Sequence, residues 1–277
     1  MKILVTGATG TVGTHLVEQL IQTGIQVRAL TRNPAKANFP NGVEVVAGDL
    51  TMPTSLTPAL EGITGLHLIN FGGGTPLQTG NEIMELAEKA GVKRVTVLRG
   101  GPKGALEQAV ESSKLTWTFL QPVEFMSGIL EWAPSIRAEG VVRQPFSNRK
   151  TAIVHEADIA SVAARVLGED SHAGKTYSIT GPEVLTPREM VRIISATTGH
   201  NIQFIELTEA QAREQWRAAG TPPEVIEFLV WAYGNTPPVG YTLSPAVEQV
   251  TGRPPRTFAQ WAAEHSDDFR NGVQRKD

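Results

Sequence analysis

An apolar run, Ile3 to Val5, breaks into glycines at positions 7, 10 and 13, then into a helical pattern with Val12, Leu16 and Leu20 on one face. Strand, tight glycine turn and helix, in that order, bring a dinucleotide pyrophosphate onto a helix N-terminus. Gly7 permits the turn, Gly10 lets the backbone approach the phosphates without a Cβ, and Gly13 lets the helix sit close to the strand. The spacing is GxxGxxG, one residue looser in its first interval than the GxGxxG fingerprint. A glycine triplet alone is weak; its place between an N-terminal strand and an amphipathic helix is what points to NAD(P) binding.

The 277 residues suit one α/β layer structure with an attached lobe, and 40% hydrophobic content can fill its core. No apolar run approaches the roughly 20 residues of a membrane span, and Met1 leads straight into the glycine turn with no cleavage-site pattern. A formal charge of -3 without a long basic run argues against a nucleic-acid partner. The absence of cysteine excludes disulfides and thiolate chemistry, and the six histidines form no HxxxH pair, so no metal is expected. With no export signal, a cytoplasmic location is expected.

Strand-like runs at 25–30, 43–46, 66–70, 92–98 and 116–120 alternate with helical patterns at 55–61, 81–90 and 103–113. That alternation predicts a Rossmann-type, doubly wound parallel sheet over residues 1–122. Beyond Pro122 the texture changes. Helix starts are marked by Ser or Thr followed, about a turn later, by Glu or Gln: Thr186/Glu189, Thr208/Gln211, Thr221/Glu224, Ser244/Glu248 and Thr257/Gln260. Short strands fall near 140–144, 151–154, 176–180 and 202–206. Residues 123–277 thus read as a smaller mixed α/β lobe, interwoven with the first part as one rigid unit.

The second strand ends Leu30-Thr31-Arg32-Asn33-Pro34, where an NAD-preferring sheet presents a carboxylate for the ribose 2′-hydroxyl. A guanidinium there pairs with the 2′-phosphate of NADP(H), with Lys36 assisting, so NADP(H) is expected over NAD(H); the alternative is a solvated arginine. After the third strand, Asp49 can reach the adenine amino group while Leu50 packs on the ring, or Asp49 can cap the helix near 55. The fourth strand ends Asn70-Phe71-Gly72-Gly73-Gly74, where bare backbone can pass close to ribose and pyrophosphate, although a plain loop reads the same way.

Together with Trp117-Thr118-Phe119-Leu120-Gln121-Pro122, His155-Glu156-Ala157-Asp158-Ile159-Ala160 and Gly174-Lys175-Thr176-Tyr177-Ser178-Ile179-Thr180-Gly181-Pro182, these segments resemble the NmrA-like group of atypical short-chain dehydrogenase/reductases. That group includes NAD(P)H-dependent quinone reductases and cofactor-sensing regulators. The resemblance implies that Gly7, Thr9, Gly10, Thr11, Val12, Gly13, Arg32, Asp49 and Leu50 line the dinucleotide, and that Pro122, Val123 and Phe125 lie by the nicotinamide.

The chain departs from the wider superfamily at the proton relay. None of Tyr177, Tyr233 and Tyr241 is followed four residues later by lysine; those positions hold Gly181, Pro237 and Pro245. Relatives that keep only the lysine place it near Lys103, which reads either as a carbonyl polariser or as a solvated charge. His155 is the reserve acid/base, or a surface turn histidine. Glu124 can orient a substrate hydroxyl or point to water, and Asp158 reads as a helix cap. The segment Val225 to Tyr233 is apolar nearly all round, so it is expected to be buried, to make a homodimer contact, or to wall a pocket with Phe125, Met126, Ile129 and Trp132.

The leading expectation is an NADPH-dependent oxidoreductase transferring hydride to a small quinone or conjugated carbonyl substrate, apolar or aromatic in character. Its rivals are a non-catalytic NAD(P) sensor with a protein partner and a redox-neutral isomerase or cyclase.

Overall fold

The computed structural model describes residues 1–270. Its main sheet is built from strands β1 (Lys2–Val5), β2 (Gln26–Thr31), β3 (Glu44–Ala47) and β4 (Gly65–Ile69). After β4 the chain makes a two-residue-per-arm hairpin, β5 (Phe71–Gly72) and β6 (Thr75–Pro76), then returns to the sheet with β7 (Arg94–Leu98) and β8 (Thr116–Pro122). A two-stranded parallel sheet pairs β9 (Val141–Pro145) with β11 (Gln203–Leu207), while β10 (Lys175–Ile179) joins the main sheet.

The order β10-β8-β7-β4-β1-β2-β3 is parallel throughout. The strands read as near-continuous Val, Ile and Leu because helices cover both faces. Winding runs outward in opposite directions from β1 and β4, which makes the carboxyl end of that pair the topological switch point where open α/β sheets bind ligands.

The helices are α1 (Thr11–Gln22), α2 (Thr57–Leu60), α3 (Gly80–Lys89), α4 (Ala105–Ser112), α5 (Ala133–Glu139) and α6 (Glu156–Gly168). They continue with α7 (Pro187–Thr198), α8 (Glu209–Ala218), α9 (Pro223–Gly234), α10 (Ala246–Thr251), α11 (Phe258–Glu264) and α12 (Ser266–Phe269). Leu60, Ile83, Ala87, Leu106 and Val110 from α2, α3 and α4 close over Leu66, Leu68, Val95, Val97 and Phe119 of the sheet. Helices α1 and α6 pack on each other, and Ser161 Oγ donates to Gln19 Oε1 at 3.0 Å between them.

The described chain divides into two units. The first is Met1–Pro122 with Glu156–Ile179 and Ala246–Arg253; the second is Val123–His155, Thr180–Pro245 and the residues from Pro254 onward. The strand expected near 176–180 is therefore the edge strand of the main sheet, paired in parallel with β8, and is not part of the C-terminal lobe. Residues 151–154 form no strand: Thr151 and Val154 make isolated bridges to Leu185 and Phe125.

The second unit has its own core, centred on Met126, Trp132, Ile136, Ile153, Met190, Phe258 and Trp261. Phe258 and Trp261 stack with centroids 5.4 Å apart. The expected caps form at Thr186, Thr208 and Thr257, each accepting from the amide three residues on. Thr221 does not cap, because α9 begins one residue later behind Pro222, which brings no capping side chain.

Candidate functional site

The glycine turn is fixed by its own backbone. Gly7 has φ of +60°, and its carbonyl accepts from Gly10 N at 2.9 Å. A Cβ on Gly13 would sit 2.1 Å from that same carbonyl oxygen, so only glycine lets α1 approach the turn this closely. Gly10 is the N-cap of α1 and no side chain caps the helix. The first-turn amides of Thr11, Val12 and Gly13 therefore lack intrahelical acceptors and carry the positive end of the helix dipole, the chemistry of an anion site.

A cleft of about 490 Å³ is lined in strand order by Gly7 and Thr9 after β1, Arg32 and Lys36 after β2, and Asp49 and Leu50 after β3; Gly10, Thr11, Val12 and Gly13 are not among its lining residues, and Val12 is buried in the core. Ile69, Phe71 and Gly72 complete it from the end of β4. Neither Arg32 nor Lys36 makes an ion pair among the described residues, whereas Lys2, Arg28, Lys103, Arg149 and Arg213 do. A cleft that begins at the glycine turn and is lined by Arg32 and Lys36 fits a dinucleotide carrying an extra phosphate.

Asp49 lines the cleft, but its first task is local. Its Oδ1 accepts from Thr51 N at 2.9 Å and Thr51 Oγ1 at 2.8 Å, and its amide donates to Ser55 Oγ at 2.9 Å. Those two Thr51 donors, with Arg32 nearby, hold its carboxyl below the usual carboxylate range. Leu50 is buried in the sheet's core and shows only an edge to the cleft. Residues 71–76 are no plain loop. Gly73 and Gly74, at φ of +61° and +86°, form the tight turn between β5 and β6.

Asn70 departs from its expected place. Its side chain turns away from the cleft lining, donating to Gly100 O at 3.0 Å and Glu107 Oε1 at 2.9 Å and accepting from Gly100 N at 3.1 Å. Glu107, fully buried, takes Gly104 N at 2.9 Å with its other oxygen. Arg99 Nη2 closes the same loop on Gly101 O at 2.9 Å. The segment between β7 and α4 is thus clamped from the end of β4.

The two candidates for proton work each have a carboxylate partner. Lys103 precedes α4 instead of opening it, and its ammonium pairs with Glu111 at 2.7 Å on the surface. His155 is no surface turn residue: it is buried and its Nε2 lies 3.0 Å from Glu264 Oε2. Asp158 is buried at the start of α6.

The second unit carries two cavities of its own. Val123, Phe125, Ile129 and Trp132 line one of about 360 Å³; Met126 is sealed in the core behind it. Pro122 ends β8 in the first unit. A second, of about 530 Å³, lies against Phe146, Asn148 and Tyr241. Arg149 and Tyr233 line both. Glu124 is spoken for, gripped by Arg149 through two hydrogen bonds of 2.7 and 2.9 Å. Tyr233, at the end of the apolar segment expected to wall a pocket, does line one with Phe125, Ile129 and Trp132, whereas Arg149 gave no signal in the sequence because its carboxylate partner is 25 residues away. Helix α9 is not buried all round: Ile226 points inward, while Phe228 and Trp231 are 60% and 57% exposed.

A family model described as NAD(P)H-binding matches residues 7–101. Over 96% of its length the chain is 35% identical to a (4-alkanoyl-5-oxo-2,5-dihydrofuran-3-yl)methyl phosphate reductase of Streptomyces griseus, covering 99% of that protein. It is 32% identical to an NAD(P)H azoreductase of Xenophilus azovorans, again over 96% of this chain and 99% of the relative. Among solved structures it is similar to an NADPH-dependent quinone oxidoreductase of Escherichia coli in complex with NADPH. The TM-score is 0.81 at 27% identity, covering 95% of this chain and 99% of the other.

Proposed function

The chain belongs to the NmrA-like group of atypical short-chain dehydrogenase/reductases, and from that premise we propose that it is an NADPH-dependent reductase of small quinones or conjugated carbonyls. The observation that carries this reading is the glycine turn that leads into the uncapped N-terminus of α1, whose Gly7 and Thr9 line one cleft with Arg32 and Lys36. The amides of Thr11 to Gly13 hold the diphosphate. Arg32, with Lys36 beside it, takes the 2′-phosphate, which a carboxylate at that position would repel. When bound, NADPH supplies the hydride.

The missing Tyr-x-x-x-Lys pair narrows the acceptor class. A simple ketone needs a positioned acid as its alkoxide forms, whereas a quinone accepts hydride to give a stabilised anion that water can protonate. Orientation over the cofactor then supplies most of the acceleration. Neither Lys103, paired with Glu111, nor His155, paired with Glu264, is assigned a step.

Following nicotinamide absorbance with NADPH and a panel of quinones tests this directly. Steady oxidation with at least one quinone is the expected result. Tight NADPH binding with no turnover of any acceptor overturns it and favours the second reading, a cofactor sensor, which the absent relay would suit.

A further inference from the structure

We infer that the 360 Å³ cavity of the second unit recognises the acceptor as a neutral, planar molecule bearing a carbonyl oxygen, with the Tyr233 hydroxyl as the donor to that oxygen. The inference rests on the reductase reading and names its substrate class.

The wall is assembled from three side chains. Arg149 is almost wholly buried, its guanidinium held in the plane of the Glu124 carboxylate by the paired hydrogen bonds. The Tyr233 ring lies over the guanidinium face at 4.2 Å from its centroid, so the ring cannot tilt without giving up that contact. Phe146, with φ of +52° where a non-glycine residue is strained, opens the turn that presents Arg149, and Arg149 N donates back to Phe146 O at 2.9 Å. Strain retained in a turn whose product is a buried arginine is the mark of a constrained wall.

The fixed ring leaves one group uncommitted. The Tyr233 hydroxyl has no hydrogen-bond partner among the described residues, although the side chain is largely buried and lines the cavity. Burial pushes this phenol up to about 12, so it carries its proton throughout the neutral range and serves as a donor instead of a proton-transfer acid. Phe125, Ile129 and Trp132 supply apolar surface for a flat ring.

Charge sets the class. Arg149 is matched by Glu124, and Glu131, whose carboxyl is held above the usual carboxylate range by burial, lines the same cavity. A ligand carrying carboxylate, sulfonate or phosphate meets no spare cation there. A neutral quinone needs none.

Two paired measurements test this. The first compares kcat/KM for a neutral naphthoquinone with that for its ring-sulfonated counterpart, in wild type and in Tyr233→Phe. The expected result is at least about tenfold preference for the neutral ring. Tyr233→Phe should raise KM about two- to tenfold, the worth of one neutral hydrogen bond, with kcat, melting temperature and NADPH affinity held. Equal use of the sulfonated quinone, or an unchanged KM in Tyr233→Phe, overturns the inference. The second measurement is binding of the same neutral quinone to cofactor-free protein by tryptophan fluorescence. Binding that weakens in Tyr233→Phe while no acceptor is turned over upholds the cavity and sinks the reductase reading. Turnover whose KM ignores Tyr233 sinks the cavity alone.

Discussion

Single residues carry the sharpest consequences. Gly13→Ala forces a methyl to within 2.1 Å of the Gly7 carbonyl, and backbone cannot step aside as a side chain can. Denaturant titration should show a loss of at least about 2 kcal/mol, together with loss of NADPH binding. Arg32→Ala removes a charge-assisted contact of about 1.5 to 3 kcal/mol and should weaken NADPH about ten- to a hundredfold while leaving NADH affinity nearly unchanged. Equal loss for both nucleotides would make Arg32 a structural residue. His67 is a separate case, buried in the sheet beside Thr96 with Nδ1 and Thr96 Oγ1 2.8 Å apart. Burial brings its imidazole from 6.5 down to about 4, so the unfolded chain binds a proton that the folded one refuses. Its contribution is complete above 6.5 and is lost as pH falls toward 4, about 3 kcal/mol in all. Unfolding curves of His67→Gln should lack that acid limb. The tight turn at Gly7 and the close approach at Gly13 were legible in the sequence because each answers to its immediate neighbours; the hydrogen bonds of Asn70 and Arg149 were not, since they span 25 to 37 positions.

At the scale of elements, the parallel strands and their crossover helices could be read because the strands are rich in Val, Ile and Leu and glycines 24 and 91 follow α1 and α3. What periodicity could not decide was membership. The run at 175–179 has the same texture whether it pairs with β8 or in a smaller sheet, and register settled it. For helix α9 apolar composition says nothing of direction: Ile226 is buried and Tyr233 lines a cavity with Phe125, Ile129 and Trp132, while Phe228 and Trp231 are exposed. Phe228→Ser should therefore change stability by no more than about 0.5 kcal/mol, checked by thermal melting, whereas Ile226→Ala should cost about 2 to 4 kcal/mol. The clamp of Asn70 and Glu107 on the segment between β7 and α4 is a positioning device. Asn70→Ala strands a buried carboxylate oxygen and should lower the melting temperature by several degrees.

Over the whole molecule, the first unit combines a seven-stranded parallel sheet and a glycine turn with a match to an NAD(P)H-binding family, and the similar proteins include an NAD(P)H azoreductase and an NADPH-dependent quinone oxidoreductase. The chain has kept the cofactor machinery at backbone level while its tyrosines sit where no lysine follows four residues on. No helix among the described residues is long and apolar enough to cross a membrane. The central claim is that the bare amides at the start of α1 and the free cations Arg32 and Lys36 together hold NADPH. Calorimetric titration of the wild-type protein with NADPH and with NADH tests it most directly. One site per chain, at least about tenfold tighter for NADPH, is the expected result; no heat with either nucleotide, or equal affinity for both, would contradict it.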